Sequence, residues 1–292
     1  MADARGGAPR RRAADAAAQA RPDLFTCPRC GRRLALEGEA LECRRGHRYD
    51  AVDGVFDLWP EGRPLPRLDV FATPYGLAYD TAIKERWLAR LGGLVGWGAD
   101  VRPMFRLMDE GVKCEAGEVV LDVPVGGGPT LRAAPGRSHG LVVGIDLSLP
   151  MLARAARVVR EESLERVVLA RGDASHLPLA DGSVDRVLCF NGLHVMPRKD
   201  EVLREFRRVL KPGGELWGSV VVVNALLRRA RPWINGGLWF APADPDALEE
   251  MARREGFSRW RTETSGSLMT FRAAVPASPA PRPRAKRRAR GG

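Results

Sequence analysis

Residues 118–131 read EVVLDVPVGGGPTL, and the fold follows from how this stretch is read. An apolar run, Val119 to Leu121, ends on an acid, Asp122, and three glycines, Gly126, Gly127 and Gly128, come soon after. A short unbroken apolar run bounded by turn residues is the pattern of a strand buried on both faces. In an open α/β sheet, ligands bind beyond the carboxyl ends of the strands, where glycines let the backbone come close to them. The G-x-G-x-x-G spacing of nicotinamide dehydrogenases is absent, since the residue three beyond Gly128 is Leu131 and the one two before Gly126 is Pro124. An acid ahead of the glycines suits a cationic amino acid group better than a pyrophosphate, whose negative charge Asp122 would repel.

Outward from this stretch, apolar strands alternate with amphipathic helices, which predicts an α/β fold with a parallel sheet covered on both faces. EVVLDV (118–123), LVVGIDL (141–147), RVVLARGD (166–173), SVDRVLCF (183–190) and GELWGSVVVV (214–223) read as five successive buried strands. In EVLREFRRVL, Val202, Leu203, Phe206, Val209 and Leu210 share one helical face, and Lys211-Pro-Gly-Gly ends that helix. Asp244 and Pro245 predict the cap and first turn of a helix through Arg254. Strands near 259–263 and 268–273 complete a Rossmann-like, mostly parallel sheet of seven strands. A helical stretch is predicted from about Tyr75 to Glu110. The stretch 224–243, with Trp233, Trp239 and Phe240, interrupts the sheet and reads as an apolar lid over a substrate, a base-stacking loop or simple surface packing.

Two further acids stand at strand ends. Asp146 closes the second strand, 24 residues after Asp122, where a carboxylate accepts hydrogen bonds from both ribose hydroxyls. Asp173 follows the third strand, placed to accept from an adenine amino group while the backbone of Ala174 meets the ring edge. Any one of these acids alone is also a cap or turn residue, Asp146 above all because Ser148 starts a helix. Three of them at consecutive strand ends, around one glycine loop, point to a binding site.

VLDVPVGGG, GIDLS, GDASHLPLADGSVDRVLCFNGLH and REFRRVLKPGG together resemble the successive motifs of class I S-adenosylmethionine-dependent methyltransferases, especially the group that includes ubiquinone and menaquinone methylases. The resemblance covers about residues 118–273. It implies a cofactor, S-adenosyl-L-methionine, held by Asp122 and the Gly126–Gly128 loop, by Asp146 at the ribose, and by Asp173 and Ala174 at the adenine. The chain departs from the pattern at Pro124, where most members have a glycine, and at Val125, where many have cysteine. The Asn/Asp-Pro-Pro-aromatic signature of enzymes that methylate planar amino groups is missing, and Phe190-Asn191-Gly192-Leu193 stands in its place. Asn191 is a candidate for cofactor contact and catalysis. His194 is a candidate acceptor of a proton from a hydroxyl or enol, against the alternative of a helix-start or core-edge histidine. Methyl transfer from a sulfonium is an in-line displacement, so alignment and exclusion of water are the main requirements, and a dedicated base is not essential.

Ahead of this region, Cys27-x2-Cys30 and Cys43-x3-His47 are separated by twelve residues. Three thiolates and one imidazole are the ligand types and count of a closed, tetrahedral, structural Zn2+, against the alternative of buried free cysteines. The ribbon around them resembles the zinc module of ribosomal RNA guanine-N1 methyltransferases, and also ribbons on methyltransferases of the quinone-methylase type. The connection after the fourth strand, FNGLHVMPRKDEVLREF, departs from the RNA group.

The 292 residues therefore divide into a disordered tail (1–21), a zinc ribbon (22–60), a methyltransferase domain (67–275) and a disordered basic tail (276–292). A Pro-rich connector, Pro60 to Pro66, joins the two folded units. The net charge of +11 sits mostly on the tails: residues 276–292 carry six basic side chains and no acids, and residues 1–21 a net +3, which leaves only +2 for the rest. A nearly neutral body argues against a dedicated nucleic-acid binder. A small organic acceptor is accordingly the first expectation, RNA the second, and a non-catalytic scaffold the third. Neither a secretory signal nor a membrane-spanning run is recognisable, so the expected location is the cytoplasm. Nothing in the sequence bears on oligomeric state.

Overall fold

The computed structural model describes residues 24–37, 40–60, 62–64, 81, 83, 85–134, 140–222 and 243–277. Both predicted tails lie outside these residues apart from positions 276 and 277. So do the aromatic insertion with Trp233, Trp239 and Phe240, part of the Pro-rich connector and most of residues 65–84.

Four short strands come first: β1 (Leu34–Glu37), β2 (Ala40–Cys43), β3 (Arg48–Val52) and β4 (Val55–Asp57), paired antiparallel in succession. Asp53 and Gly54 both take positive φ between β3 and β4, which a tight two-residue hairpin turn requires. Then come α1 (Arg86–Trp97), α2 (Arg102–Gly111), β5 (Val119–Asp122), a 3-10 turn (Leu131–Ala133), β6 (Leu141–Asp146), α3 (Leu149–Glu161) and β7 (Val167–Arg171). The chain continues through β8 (Val184–Phe190), α4 (Lys199–Val209), β9 (Leu210–Val221), α5 (Pro245–Arg254), β10 (Ser258–Ser265) and β11 (Leu268–Ala274).

The strands form one sheet in the order β1-β2-β3-β4-β7-β6-β5-β8-β9-β11-β10. From β4 to β9 all neighbours are parallel, and β11 and β10 turn antiparallel at the far edge. Strand order reverses at β5, which lies between β6 and β8, so a ligand crevice is expected beyond the carboxyl ends of those strands.

The predicted seven strands are present, but the sheet has eleven, because the N-terminal hairpins join it directly. Val55, Phe56 and Asp57 pair in parallel with Leu169, Ala170 and Arg171. Strand β7 would otherwise present an open edge of unpaired backbone groups, and β4 covers it. Phe56 is completely buried and belongs to the core on the same face as α4 and α5, together with Leu24, Phe25, Leu34, Leu41 and Leu58. The opposite face is closed by α2 and α3 over Val120, Val142 and Leu188.

Of the helical stretch expected from about Tyr75 to Glu110, most of the first ten residues lie outside the described ones, and the rest departs from expectation. The pattern is split into α1 and α2, because Gly98 ends α1 in the left-handed region and its N–H bonds to Gly93 O. Pro103 and the Asp100 carboxylate, which accepts the Arg102 N–H, then start α2. Helix α5 has the expected cap, Asp244 accepting from the N–H groups of Asp246 and Ala247. Lys211-Pro-Gly-Gly ends α4 as expected and is looped out as an irregularity in β9, since Val184 pairs with Leu210 and Arg186 already with Glu215. Among the described residues no helix is long and apolar enough to cross a membrane.

Candidate cofactor pocket and metal centre

Strands β5 and β6 end on Asp122 and Asp146, and Asp173 lies two residues past the end of β7. Asp122 is almost fully buried, and its Oδ2 has no hydrogen-bond partner among the described residues. Burial pushes its carboxyl up to about 8, with the charge of Asp146 adding to the rise and a hydrogen bond from Thr130 opposing it. A buried carboxyl with an orphaned oxygen is an incomplete arrangement that a cationic donor would complete.

The Asp146 carboxylate is engaged on both oxygens, Oδ2 accepting the Gly126 N–H and Oδ1 the Ser148 N–H, each at 2.8 Å. It thus fastens the glycine loop to the start of α3, where Ser148 caps the helix by accepting from Met151 N–H. Asp146 is therefore a turn and loop-tying residue in its geometry, whatever else it does. Gly126 and Gly128 take positive φ, and no heavy atom among the described residues stands within 4 Å of where a Cβ on Gly126 would be. Gly127, between them, is half-buried. The loop opens into a 3-10 turn rather than an α-helix. Pro124, the departure from the family pattern, is accommodated by Gly192, where any Cβ would collide with the proline ring.

Asp173 is engaged as well. Its Oδ1 accepts from the N–H and the hydroxyl of Ser175 at 2.8 and 2.7 Å, and its Oδ2 faces Arg63 Nε at 3.0 Å. Ala174 packs partly buried against the core beside it.

Asn191 sits in the left-handed region just past β8, a conformation asparagine tolerates, and its Oδ1 accepts from the Ser219 hydroxyl at 3.0 Å. His194 is buried, and its Nδ1 accepts the Val221 N–H at 3.4 Å. Burial, with Lys199 adding to it, pulls its pKa down to about 4. An imidazole whose Nδ1 accepts a backbone N–H carries its proton on Nε2 and donates there. His194 is thus buried with its Nδ1 facing the backbone, the surroundings of a core-edge histidine, and its part in proton transfer is a proposal.

Four participants carry no signal in the sequence: Thr130 on Asp122, Ser219 on Asn191, Arg63 on Asp173, and Trp59, which holds Arg63 in place. Each is an ordinary residue type that acquires its role only through tertiary packing.

Cys27, Cys30, Cys43 and His47 are brought together, their ligand atoms all within 4.8 Å of one another. Cys30 Sγ and Cys43 Sγ are 3.7 Å apart, and Cys27 Sγ and His47 Nδ1 3.3 Å. A tetrahedron with Zn–S bonds of about 2.3 Å has S–S edges of roughly 3.8 Å, so the donor set fits zinc. A disulfide, at about 2.05 Å, does not fit, and none of the five cysteines is in one. The Tyr49 hydroxyl lies 3.2 Å from Cys27 Sγ, as a donor to a metal-bound thiolate would.

Three acids at or just past successive strand ends thus accompany a glycine loop at the point where strand order reverses. Residues 120–214 match the family model described as a methyltransferase domain. The matched stretch spans β5 to the start of β9 and contains every candidate cofactor residue. The chain is 40% identical over 119 residues to the methyltransferase GfsG of Streptomyces halstedii, covering 40% of this chain and 43% of that protein. It is 39% identical over 108 residues to a demethylmenaquinone methyltransferase of Lactobacillus johnsonii, covering 36% and 44%. The matches thus span less than half the length of these curated relatives. Among solved structures, a phosphoethanolamine N-methyltransferase of Haemonchus contortus in complex with S-adenosyl-L-methionine superimposes with a TM-score of 0.51. At 20% identity, over 59% of this chain and 52% of that one, the likeness is one of fold.

Proposed function

We propose that the chain is an S-adenosylmethionine-dependent methyltransferase acting on a small organic acceptor, with a structural zinc in its N-terminal hairpins. The observation that carries this reading is the orphaned, buried Asp122 oxygen at the switch point of the sheet, next to a glycine loop with open space at Gly126. Asp122 would take the cofactor's ammonium, Gly126 to Gly128 would let the backbone approach it, Asp146 would meet the ribose, and Asp173 with Ala174 the adenine. The cofactor, when bound, supplies an activated methyl group on a sulfonium. The chain's own residues align the acceptor and keep water out, and Asn191 and His194, past the end of β8, are the candidates for catalysis.

A small acceptor is supported by the near-neutral body of the chain and by the name of the Lactobacillus relative, which specifies demethylmenaquinone. The test is to incubate the full chain with S-adenosylmethionine labelled on its transferable methyl, once with ribosomal RNA and once with a small-molecule extract. Label in the small-molecule fraction is expected; label in the RNA would overturn the acceptor class. The zinc is tested by native mass spectrometry, which should find one metal per chain and none in Cys43→Ser.

A further inference from the structure

Arg63, which follows the cysteine-rich hairpins, reaches Asp173 and Ser175 in the loop proposed to meet the adenine. Leu58 N–H bonds to Arg171 O at 3.0 Å, continuing the β4 pairing to the last residue of β7. The Arg171 guanidinium lies over the Trp59 ring, 5.4 Å from its centre, and donates to Leu147 O at 3.1 Å, so it bridges this segment to the residue after Asp146. Trp59 Nε1–H donates to Arg63 O at 3.0 Å, which sets the course of the chain at Arg63. Arg63 then turns inward, Nε toward Asp173 Oδ2 and Nη2 toward Ser175 Oγ at 3.1 Å. At its other end, the loop after Asp173 is gripped by the start of the same unit: Thr26 N–H bonds to Pro178 O at 3.0 Å and Ala180 N–H to Leu24 O at 2.8 Å. The loop carrying Asp173 and Ala174 is therefore held on both sides by residues that precede the methyltransferase domain.

A carboxylate has about four acceptor directions. Ser175 takes two on Oδ1 and Arg63 one on Oδ2, which leaves one direction on Oδ2 among the described residues. A carboxylate tethered at three points presents its fourth in a fixed direction, and a fixed acceptor discriminates a donor from a non-donor far better than a mobile one.

We propose that Arg63 is a positioning residue of the cofactor pocket, aiming Asp173 at the 6-amino group of the adenine, so that the N-terminal unit sets base specificity and affinity. This rests on the reading of Asp173 as the adenine acceptor. Arg63 touches Asp173 and Ser175 through two different nitrogens of its planar fork, a fixed geometry that the single ammonium of a lysine does not reproduce.

The experiment is calorimetric titration of the full-length chain, as purified, with S-adenosylhomocysteine and with S-inosylhomocysteine, which carries an oxygen in place of the 6-amino group. The proteins are the unaltered chain, Arg63→Ala and Arg63→Lys. The unaltered chain is expected to prefer the adenosyl ligand by at least about tenfold, the size of one charge-assisted hydrogen bond. Arg63→Ala should lose most of that preference, with the loss falling on the adenosyl ligand, and Arg63→Lys should recover only part. A thermal unfolding curve on each variant shows that it is folded. If the unaltered chain shows no preference, the reading of Asp173 fails and the proposal with it. If the preference is present and survives in Arg63→Ala, or if both ligands weaken equally, the proposal is overturned while the reading of Asp173 stands.

Discussion

Gly126 donates its backbone N–H to Asp146 Oδ2 at 2.8 Å, so the glycine loop after β5 is tied to the acid that ends β6. The same carboxylate holds the Ser148 N–H at the start of α3. Asp146→Ala leaves the buried Ser148 N–H and the half-buried Gly126 N–H without this acceptor, and it should therefore lower stability as well as cofactor affinity, by about 1.5 to 3 kcal/mol for each charge-assisted bond lost. Thermal unfolding and titration with S-adenosylhomocysteine check the two effects separately. A variant with unaltered affinity would remove Asp146 from the binding site and leave it as a loop anchor.

Asp122 and His194 are both buried and both neutral near pH 7, but they shift stability in opposite directions as pH changes. The Asp122 carboxyl has its folded pKa raised to about 8 from an unfolded value of about 3.9, so its contribution is fully present below the unfolded value and is lost as pH rises through 8. Asp122→Asn should raise the melting temperature relative to the unaltered chain, by a margin that widens from pH 5 to pH 8, while weakening cofactor binding. Equal melting temperatures across that range would show that the Asp122 carboxyl titrates normally.

For His194 the folded pKa is depressed to about 4 from about 6.5, so its contribution is present above the unfolded value and is lost as pH falls toward 4. His194→Gln should be less stable than the unaltered chain at pH 7, and the difference should shrink on acidification to pH 5. A difference that grows with acid would mean that the imidazole is charged in the folded chain.

Much of this is legible in the sequence where the determinants are local. The apolar run ending on Asp122, the glycines after it, the Asp244 cap and the Cys27–His47 spacing each lie within a few residues or one hairpin, and each forms as expected. What stays hidden depends on partners distant in the chain. Strand β4 is only three residues long, too short to announce that it extends a parallel sheet, and its pairing with β7 exists because that edge needs a cover. Arg63 and Ser175 are 112 residues apart, and no periodicity links them. His194 Nδ1 faces Val221 N–H, a backbone group that no side-chain pattern records. The break between α1 and α2 escapes a periodicity reading because apolar residues recur on both sides of Gly98, while the left-handed cap at that glycine decides the boundary.

Because β4 is hydrogen-bonded into the main sheet and Phe56 lies in its core, the hairpins and the rest of the sheet should unfold together. Phe56→Ala should cost about 3–5 kcal/mol, and chelation of zinc should lower the melting temperature of the whole chain in one transition. Differential scanning calorimetry with and without chelator reads this. A separate early transition that leaves the main melting temperature in place would make the hairpins an independent appendage.

Everything proposed for the site depends on Asp122 holding S-adenosylmethionine at the switch point of the sheet. Calorimetric titration of S-adenosylhomocysteine into the full-length chain and into Asp122→Asn, in two buffers of different ionisation enthalpy at pH 7, reads that contact. One site per chain is predicted, weakened at least about tenfold by the substitution. Release of a proton on binding is also predicted, since the ammonium of the ligand would ionise a carboxyl held at about 8. Absence of binding, or binding with unchanged affinity in Asp122→Asn and no proton released, would refute it.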